Sequence, residues 1–380
     1  MPFDVHVLGT ASARPTAERA VSGSLVKGPD GIAVIDCGEG FQSRFTAQRR
    51  RLKAHAKGEA LKPGNVDVLA FTHGHLDHTW GALPWLQSMD LENRTQPLLV
   101  VGPSSTPALH ALLNGEPFPS SVPPADLARQ FVAWFTLGAT SIGFPVQWVL
   151  GDVEADFWIR LDPAKDMAER LDGMPQPKGW KRMSLLPCPT HHTVPSCGWL
   201  IAHGPTPGAF DRERADELAL NTKQRARLAR GEDIKTADGT TLEAGWFRGE
   251  ERSGTSVLIS GDTAACPPAW TAELAPTLLV HEATFLNEQQ DKAHEHLHST
   301  AAGAVQTARS IGATFLALTH YSNRIKNLDE VLTEAHALAE GLPVVALNDA
   351  DRLKIGGNGR VTHFAWAGDG WQNASKEPHR

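Results

Sequence analysis

Seven residues constrain this chain more than any others. Thr72–His78, THGHLDH, puts three histidines and one aspartate within six positions. They follow the run Val66–Phe71, VDVLAF, which is short, partly β-branched and aromatic-ended, and so reads as a buried strand. Imidazole and carboxylate groups bind zinc, manganese or iron, so a strand here delivers metal ligands into the loop at its end. His73 and His75 can point one way while Asp77 and His78 turn toward a second point, which suits two metal ions. A polar loop with chance histidines is the plainer alternative. With 17 histidines in 380 residues, such clustering argues against it.

The length allows a large core and, by itself, two or three domains. Apolar residues at 41% and charged residues at 21% describe an ordinary soluble globule. No apolar stretch is long enough to span a bilayer. The opening MPFDVHVLGT has no basic segment before an apolar one, so no secretory signal is expected and a cytoplasmic location is. Cys37, Cys188, Cys197 and Cys266 have no paired spacing and fit reduced thiols in the core or lining a site. The net charge of −7 disfavours bulk attraction to nucleic acid. Two local stretches run the other way: 44–62, with Arg49, Arg50, Arg51, Lys53 and Lys57, and KQRARLAR at Lys223–Arg230. Each is either a solvated helix face or a contact for phosphates.

Short apolar runs recur at Val5–Leu8, Ile32–Ile35, Leu98–Val101, Val257–Ile259, Leu278–Val280, Phe315–Leu318 and Val344–Leu347. Helical patterns fall between some of them. Ser299–Ile311 begins with a serine suited to an N-cap, and Asn327–Glu340 carries early acidic residues before Gly341. The mixture predicts an α/β sandwich of sheets with outer helices. Residues 114–187, rich in Pro and Trp, read as an insertion: a cap over a cleft, a dimer contact or satellite packing. Residues 205–253 read as a second insertion, a charged arm with a turn at Asp238–Gly239.

The HxHxDH pattern after a strand resembles the metallo-β-lactamase superfamily of two-metal hydrolases. That resemblance implies one domain over 1–380 of four-layered αββα type, with the two insertions. It also implies later ligands at strand ends: His192 in THHTVPSCGW, Asp262 in VLISGDT and His320 in FLALTH. One metal would then be held by His73, His75 and His192 and another by Asp77, His78 and His320, with Asp262 bridging. Further motifs resemble ribonuclease Z, the endonuclease family that trims precursor tRNA at its 3′ side. They are LGTASARPTAER (Leu8–Arg19), DCGEGFQ (Asp36–Gln42), HTVPSCGW (His192–Trp199), HEATF (His281–Phe285), HST (His298–Thr300) and THYSNR (Thr319–Arg324).

The resemblance implies two divalent metals, zinc foremost with manganese or iron open, an RNA substrate and a homodimer. It also implies that Asp77 accepts the nucleophile's proton. The leaving 3′ oxygen needs a proton, and His298 suits that task because imidazole titrates near neutral pH. Glu282 can fix its tautomer. Two departures stand out. Leu76 occupies a position that is usually glycine, and the arm segment Leu218–Gly239 lacks the family's Gly-Pro core. A phosphodiesterase or other ester hydrolase of the same fold, acting on small or cyclic nucleotides, is therefore the second expectation. A metal-stabilised RNA-binding protein without turnover is the third.

Overall fold

The computed structural model describes residues 3–236 and 238–375. Among these, eleven strands form one sheet and six form another. Each sheet contains a run of parallel strands. In the larger, Ile32–Ile35, Val68–Ala70, Leu98–Pro103 and Val146–Asp152 lie side by side. In the smaller, Thr255–Ile259, Leu278–Glu282, Leu316–Thr319 and Val344–Ala346 do the same. Strands buried on both faces need continuous apolar runs, which is why all of these segments except Val146–Asp152 are visible as such in the sequence.

Alternate residues of these strands go to opposite faces. Val68, Ala70 and Val101 meet Trp199, Ile201, Val257 and Val280 between the sheets. Leu69 and Val100 face outward, under Phe45, Trp85, Leu86 and Phe131 of the helices Phe41–His55, Ala82–Leu91 and Leu127–Thr136. On the far side Leu258, Leu279 and Leu318 pack under Ala304, Val305, Ala308 and Val331 of the helices Ala301–Ser310 and Leu328–His336. The result is helix, sheet, sheet, helix, the αββα sandwich that the motifs implied. No helix among the described residues is long and apolar enough to cross a membrane.

Local details differ from the sequence reading. The N-cap expected at Ser299 falls one residue later, at Thr300, which accepts from the Gly303 amide. The Ser299 hydroxyl instead donates to the Thr263 carbonyl, tying this turn to the loop after Asp262. The helix after Asn327 ends at His336 rather than near Gly341. Residues 114–187 are neither a cap nor a loose loop. They supply Val146–Asp152, Phe157–Asp162 and Met167–Leu171 to the edge of the larger sheet, and Trp134, Trp148, Trp158 and Trp180 are all buried. Tryptophan in a Pro-rich context looked like surface packing because the alternation in these strands is short and interrupted by charges. Residues 205–253 have their own small core of Ala215, Leu220, Leu228, Ile234, Leu242 and Phe247. Bridges between Thr206 and Arg252 and between Phe210 and Arg248 form its stalk.

One tie between the sheets governs the metal motif. The Trp199 indole N–H, on the strand Cys197–His203, donates to the Phe71 carbonyl at 2.9 Å, and the Cys197 amide donates to the Thr72 carbonyl at 2.8 Å. The chain that leads into His73 is thereby pinned to the opposite sheet. Trp199→Phe leaves the buried Phe71 carbonyl without this donor, and urea unfolding should register a loss of about 1–3 kcal/mol. A variant as stable as the parent would show that this tie does not hold the sheets in register.

Candidate metal centre

All the candidate side chains emerge at one rim of the sandwich. Most sit just past the carboxyl ends of parallel strands, where chain reversal leaves loops open to the rim. Asp36 follows Ile32–Ile35, the Thr72–His78 motif follows Val68–Ala70, Asp262 follows Thr255–Ile259, Glu282 ends Leu278–Glu282, and His320 follows Leu316–Thr319. His192 comes from the turn between Met183–Pro189 and Cys197–His203. Two glycines make the approach close enough. Gly261 has φ +62°, and a Cβ there would lie 2.4 Å from Thr72 Cβ. A Cβ on Gly74 would lie 1.9 Å from the Ala125 carbonyl oxygen. Gln130, on the helix Leu127–Thr136, donates to the Gly74 carbonyl, so the 114–187 stretch buttresses the motif.

His73, His75, His192 and Asp262 form one group of donor atoms, all within 4.8 Å of one another, and Asp77, His78 and His320 form another. In the first, His75 Nδ1 is 2.9 Å from His73 Nε2 and 3.3 Å from His192 Nε2. In the second, His78 Nε2 is 3.2 Å from His320 Nε2, and Asp77 Oδ2 is 3.7 and 3.6 Å from those two nitrogens. Asp262 stands between the groups. Its Oδ1 is 3.3 Å from both His78 Nε2 and His320 Nε2, and its Oδ2 is 3.7 Å from His73 Nε2. His298 also comes near, in a third grouping with Asp262 and His320. Among the described residues no cysteine joins these groups; Cys197 is buried between the sheets.

Hydrogen bonds behind the histidines fix which nitrogen faces inward. Asp36 accepts from the Thr72 amide and hydroxyl, both at 2.8 Å, and from His78 Nδ1 at 2.7 Å. With its proton given to Asp36, the Thr72 oxygen can accept from His73 Nδ1 at 3.1 Å. Thr284 repeats the arrangement on the other sheet. It donates to Glu282 Oε2 and accepts from His320 Nδ1 at 3.0 Å. His192 Nδ1 donates to the Leu297 carbonyl at 3.1 Å. Nε2 of His73, His78, His192 and His320 is therefore the nitrogen that faces the centre. Asp36, Thr72 and Thr284 went unassigned in the sequence. All three lie inside motifs quoted above, DCGEGFQ, THGHLDH and HEATF, but the motifs alone assign them no role. Both Asp36 and His320 have φ 60°, a conformation that side chains adopt at a cost of about 1–3 kcal/mol.

A divalent cation fits these residues. Asp262 Oδ1 is buried and has no hydrogen-bond donor, a costly state for a carboxylate that a positive ion relieves. Imidazole and carboxylate without thiolate form a donor set for zinc and its neighbours. Burial, reinforced by neighbouring histidines, holds His73 and His75 below the ordinary imidazole range and His192 down to about 4. These three are neutral at pH 7 and have lone pairs to give. His78 is the opposite case. Burial works against its charge, but Asp262, Asp36 and Asp77 together hold it well above its usual value. Burial would likewise raise the Asp262 and Asp77 carboxyls, yet His320 and His78 beside the first, and His78 and His320 beside the second, keep both ionised.

Next to the second group, Glu282 Oε1 accepts from His298 Nδ1 at 2.7 Å and from the Thr263 amide at 2.8 Å. Burial lowers the affinity of His298 for its proton, but Glu282 and then Asp262 outweigh it and raise His298 to about 9. His294 and His296 are exposed. Three of the four cations of Lys223–Arg230 are answered within the arm: Arg225 pairs with Asp216 at 2.6 Å, and Arg227 and Arg230 pair with Glu232 at 3.0 and 2.9 Å.

Known proteins share both the sequence and the architecture. The family model described as the metallo-beta-lactamase superfamily matches residues 17–98. A ribonuclease Z of Myxococcus xanthus is 30% identical over 344 residues, covering 90% of this chain and 94% of that protein. A ribonuclease Z of Salinibacter ruber is 32% identical, covering 85% of this chain and 86% of that protein. Among solved structures, the short form of human tRNase Z superposes with a TM-score of 0.54 at 21% identity, over 93% of this chain and 99% of that one. At that identity the superposition speaks for the fold.

The charge states separate the two groups of donors. Binding at His73, His75 and His192 displaces no proton near neutral pH, whereas binding at His78 must displace one. Calorimetric titration of the chelator-stripped protein between pH 6 and 8 should therefore find one Zn²⁺ affinity nearly constant. The other should strengthen by up to about tenfold per pH unit. Two affinities with the same pH dependence would contradict the assignment of His78 as the protonated ligand.

Proposed function

We propose, from the premise that this chain belongs to the ribonuclease Z family of metal-dependent hydrolases, that it cleaves the 3′ trailer from precursor tRNA. The observation that carries the reading is the meeting of seven donor side chains from two sheets around two points, with the Glu282–His298 pair 2.7 Å apart alongside. His73, His75 and His192 would hold one divalent cation and Asp77, His78 and His320 the other, with Asp262 placed between the two groups. Zinc suits this donor set best. Bound there, the two cations supply Lewis acidity and offset the charge that builds on a phosphodiester as water attacks it.

The chain's own groups do the proton work. Asp77 Oδ2 accepts from the Ala13 amide at 2.7 Å, which steers that carboxylate edge beside His78 and His320. From there Asp77 takes the proton of the attacking water. Glu282 fixes His298 with Nδ1–H toward itself, so Nε2–H is the proton offered to the departing 3′ oxygen. A value near 9 keeps His298 protonated through neutral pH, and the charge of bound cations shifts that limit downward. Raising the pH through it removes the acid, so kcat falls on the alkaline side. The products are a tRNA ending in a 3′ hydroxyl and a trailer beginning with a 5′ phosphate. The enzyme acts in the cytoplasm as a homodimer.

The self-paired charge of the arm and its missing Gly-Pro core favour one second reading, a phosphodiesterase for small or cyclic nucleotides. Purified zinc-loaded protein offered trailer-bearing tRNA and bis(p-nitrophenyl) phosphate separates the two. Hydrolysis of the small ester with intact tRNA would reject the first reading. His298→Ala should lower kcat on tRNA by roughly 10²–10⁴-fold. Its effect on the nitrophenyl ester should be far smaller, because that leaving group departs without a proton. Equal losses on both substrates would deny His298 the role of acid.

A further inference from the structure

The short helix Leu76–Thr79 has two faces with different chemistry. Asp77 and His78 turn inward to the metal centre, while Leu76 and Trp80 turn outward. Leu76 and Trp80 lie one helical turn apart, which puts their side chains next to each other on one side. The Trp80 amide closes that turn on the Leu76 carbonyl at 2.9 Å. Trp80 is 59% exposed and Leu76 54% exposed. Of the two exposed tryptophans among the described residues, Trp80 and Trp246, Trp80 is the more open, and it sits within three residues of the candidate ligand Asp77. Alongside, the Ala13 amide holds Asp77, and the next residue, Arg14, is exposed and pairs with no carboxylate among the described residues. An exposed aromatic ring and an apolar side chain thus share the short helix that carries Asp77 and His78, and an exposed, unpaired guanidinium follows the residue whose amide holds Asp77.

Unpaired nucleic-acid bases bind by this combination, stacking on an aromatic ring while a cation meets the neighbouring phosphate. We propose that Trp80, supported by Leu76, is a stacking platform for an unpaired base flanking the cleaved phosphodiester, with Arg14 taking an adjacent phosphate. The platform selects single-stranded ends over paired ones, because only an unstacked base can lie on it. The inference rests on the RNA substrate proposed above. It adds a residue that positions the substrate without touching the reacting atoms. Leu76 distinguishes this chain, since a glycine at that position would leave the indole without its apolar neighbour.

The test compares the zinc-loaded parent with Trp80→Ala, Trp80→Leu, Trp80→Phe and Leu76→Gly. The substrates are trailer-bearing tRNA, the same RNA with a single abasic nucleotide on either side of the cleavage site, and bis(p-nitrophenyl) phosphate. Trp80→Ala and Trp80→Leu should raise KM for RNA about tenfold or more, well beyond any change on the small ester. Trp80→Phe should recover most of the loss, and Leu76→Gly should lose less. One of the abasic substitutions should weaken the parent by a similar factor and Trp80→Ala hardly at all. Equal losses on RNA and ester would make Trp80 a structural support, and additive losses would place the base elsewhere. An unchanged KM with a shift to monomers in sedimentation would assign the face to a second copy of this chain. Each of these overturns the platform. A parent that cleaves the ester but no RNA removes the substrate reading itself, a failure visible before any variant is made.

Discussion

A buried carboxylate with no hydrogen-bond donor on one oxygen is expensive, and Asp262 is such a group. It is tolerable because histidines from both sheets surround it: His73 and His78 from the larger, His320 from the smaller. Those histidines crowd nitrogen against nitrogen, with 3.2 Å between His78 Nε2 and His320 Nε2. Neither arrangement is comfortable without cations between the groups. The architecture around the site serves to bring these mutually unfavourable groups together and keep them there.

The fold does so by placing two runs of parallel strands face to face with their carboxyl ends at one rim. Each run delivers its ligands through loops, and each is locked from behind by a carboxylate–threonine pair. Asp36 with Thr72 orients His73 and His78, and Glu282 with Thr284 orients His320 and His298. Glu282 thus contacts both His298 and, through Thr284, His320. The tie from Trp199 to Phe71 keeps the two halves in register across the interior. Left-handed backbone at Asp36 and His320 stores some strain in this framework, and the surrounding hydrogen bonds hold it.

Much of the site could be read directly from the residues. His73, His75, Asp77 and His78 lie within one loop, so their spacing alone signals metal chemistry. His192, Asp262 and His320 are single residues after apolar runs, and only family resemblance singled them out. Asp36 and Thr284 lie inside the motifs DCGEGFQ and HEATF, but they act through other side chains, so their orienting role shows only when those side chains are in place. The 114–187 stretch hides its strands for a different reason. Its strands sit at a sheet edge with one charged face, and its helix Leu127–Thr136 supports Gly74 from a distance of more than fifty residues in sequence.

The order of apolar runs and the ligand types were properties of the chain itself: continuous β-branched segments must be buried, and imidazole with carboxylate binds hard or borderline cations wherever it is gathered. Convergence was not. Whether Asp262 would meet His78 depended on parallel strands ending at the same rim. The nitrogen each histidine presents depended on Asp36, Thr284 and the Leu297 carbonyl. The openness of Trp80 depended on which way a single helical turn faced. These are outcomes of long-range packing, which local pattern cannot encode because the partners lie up to hundreds of residues apart.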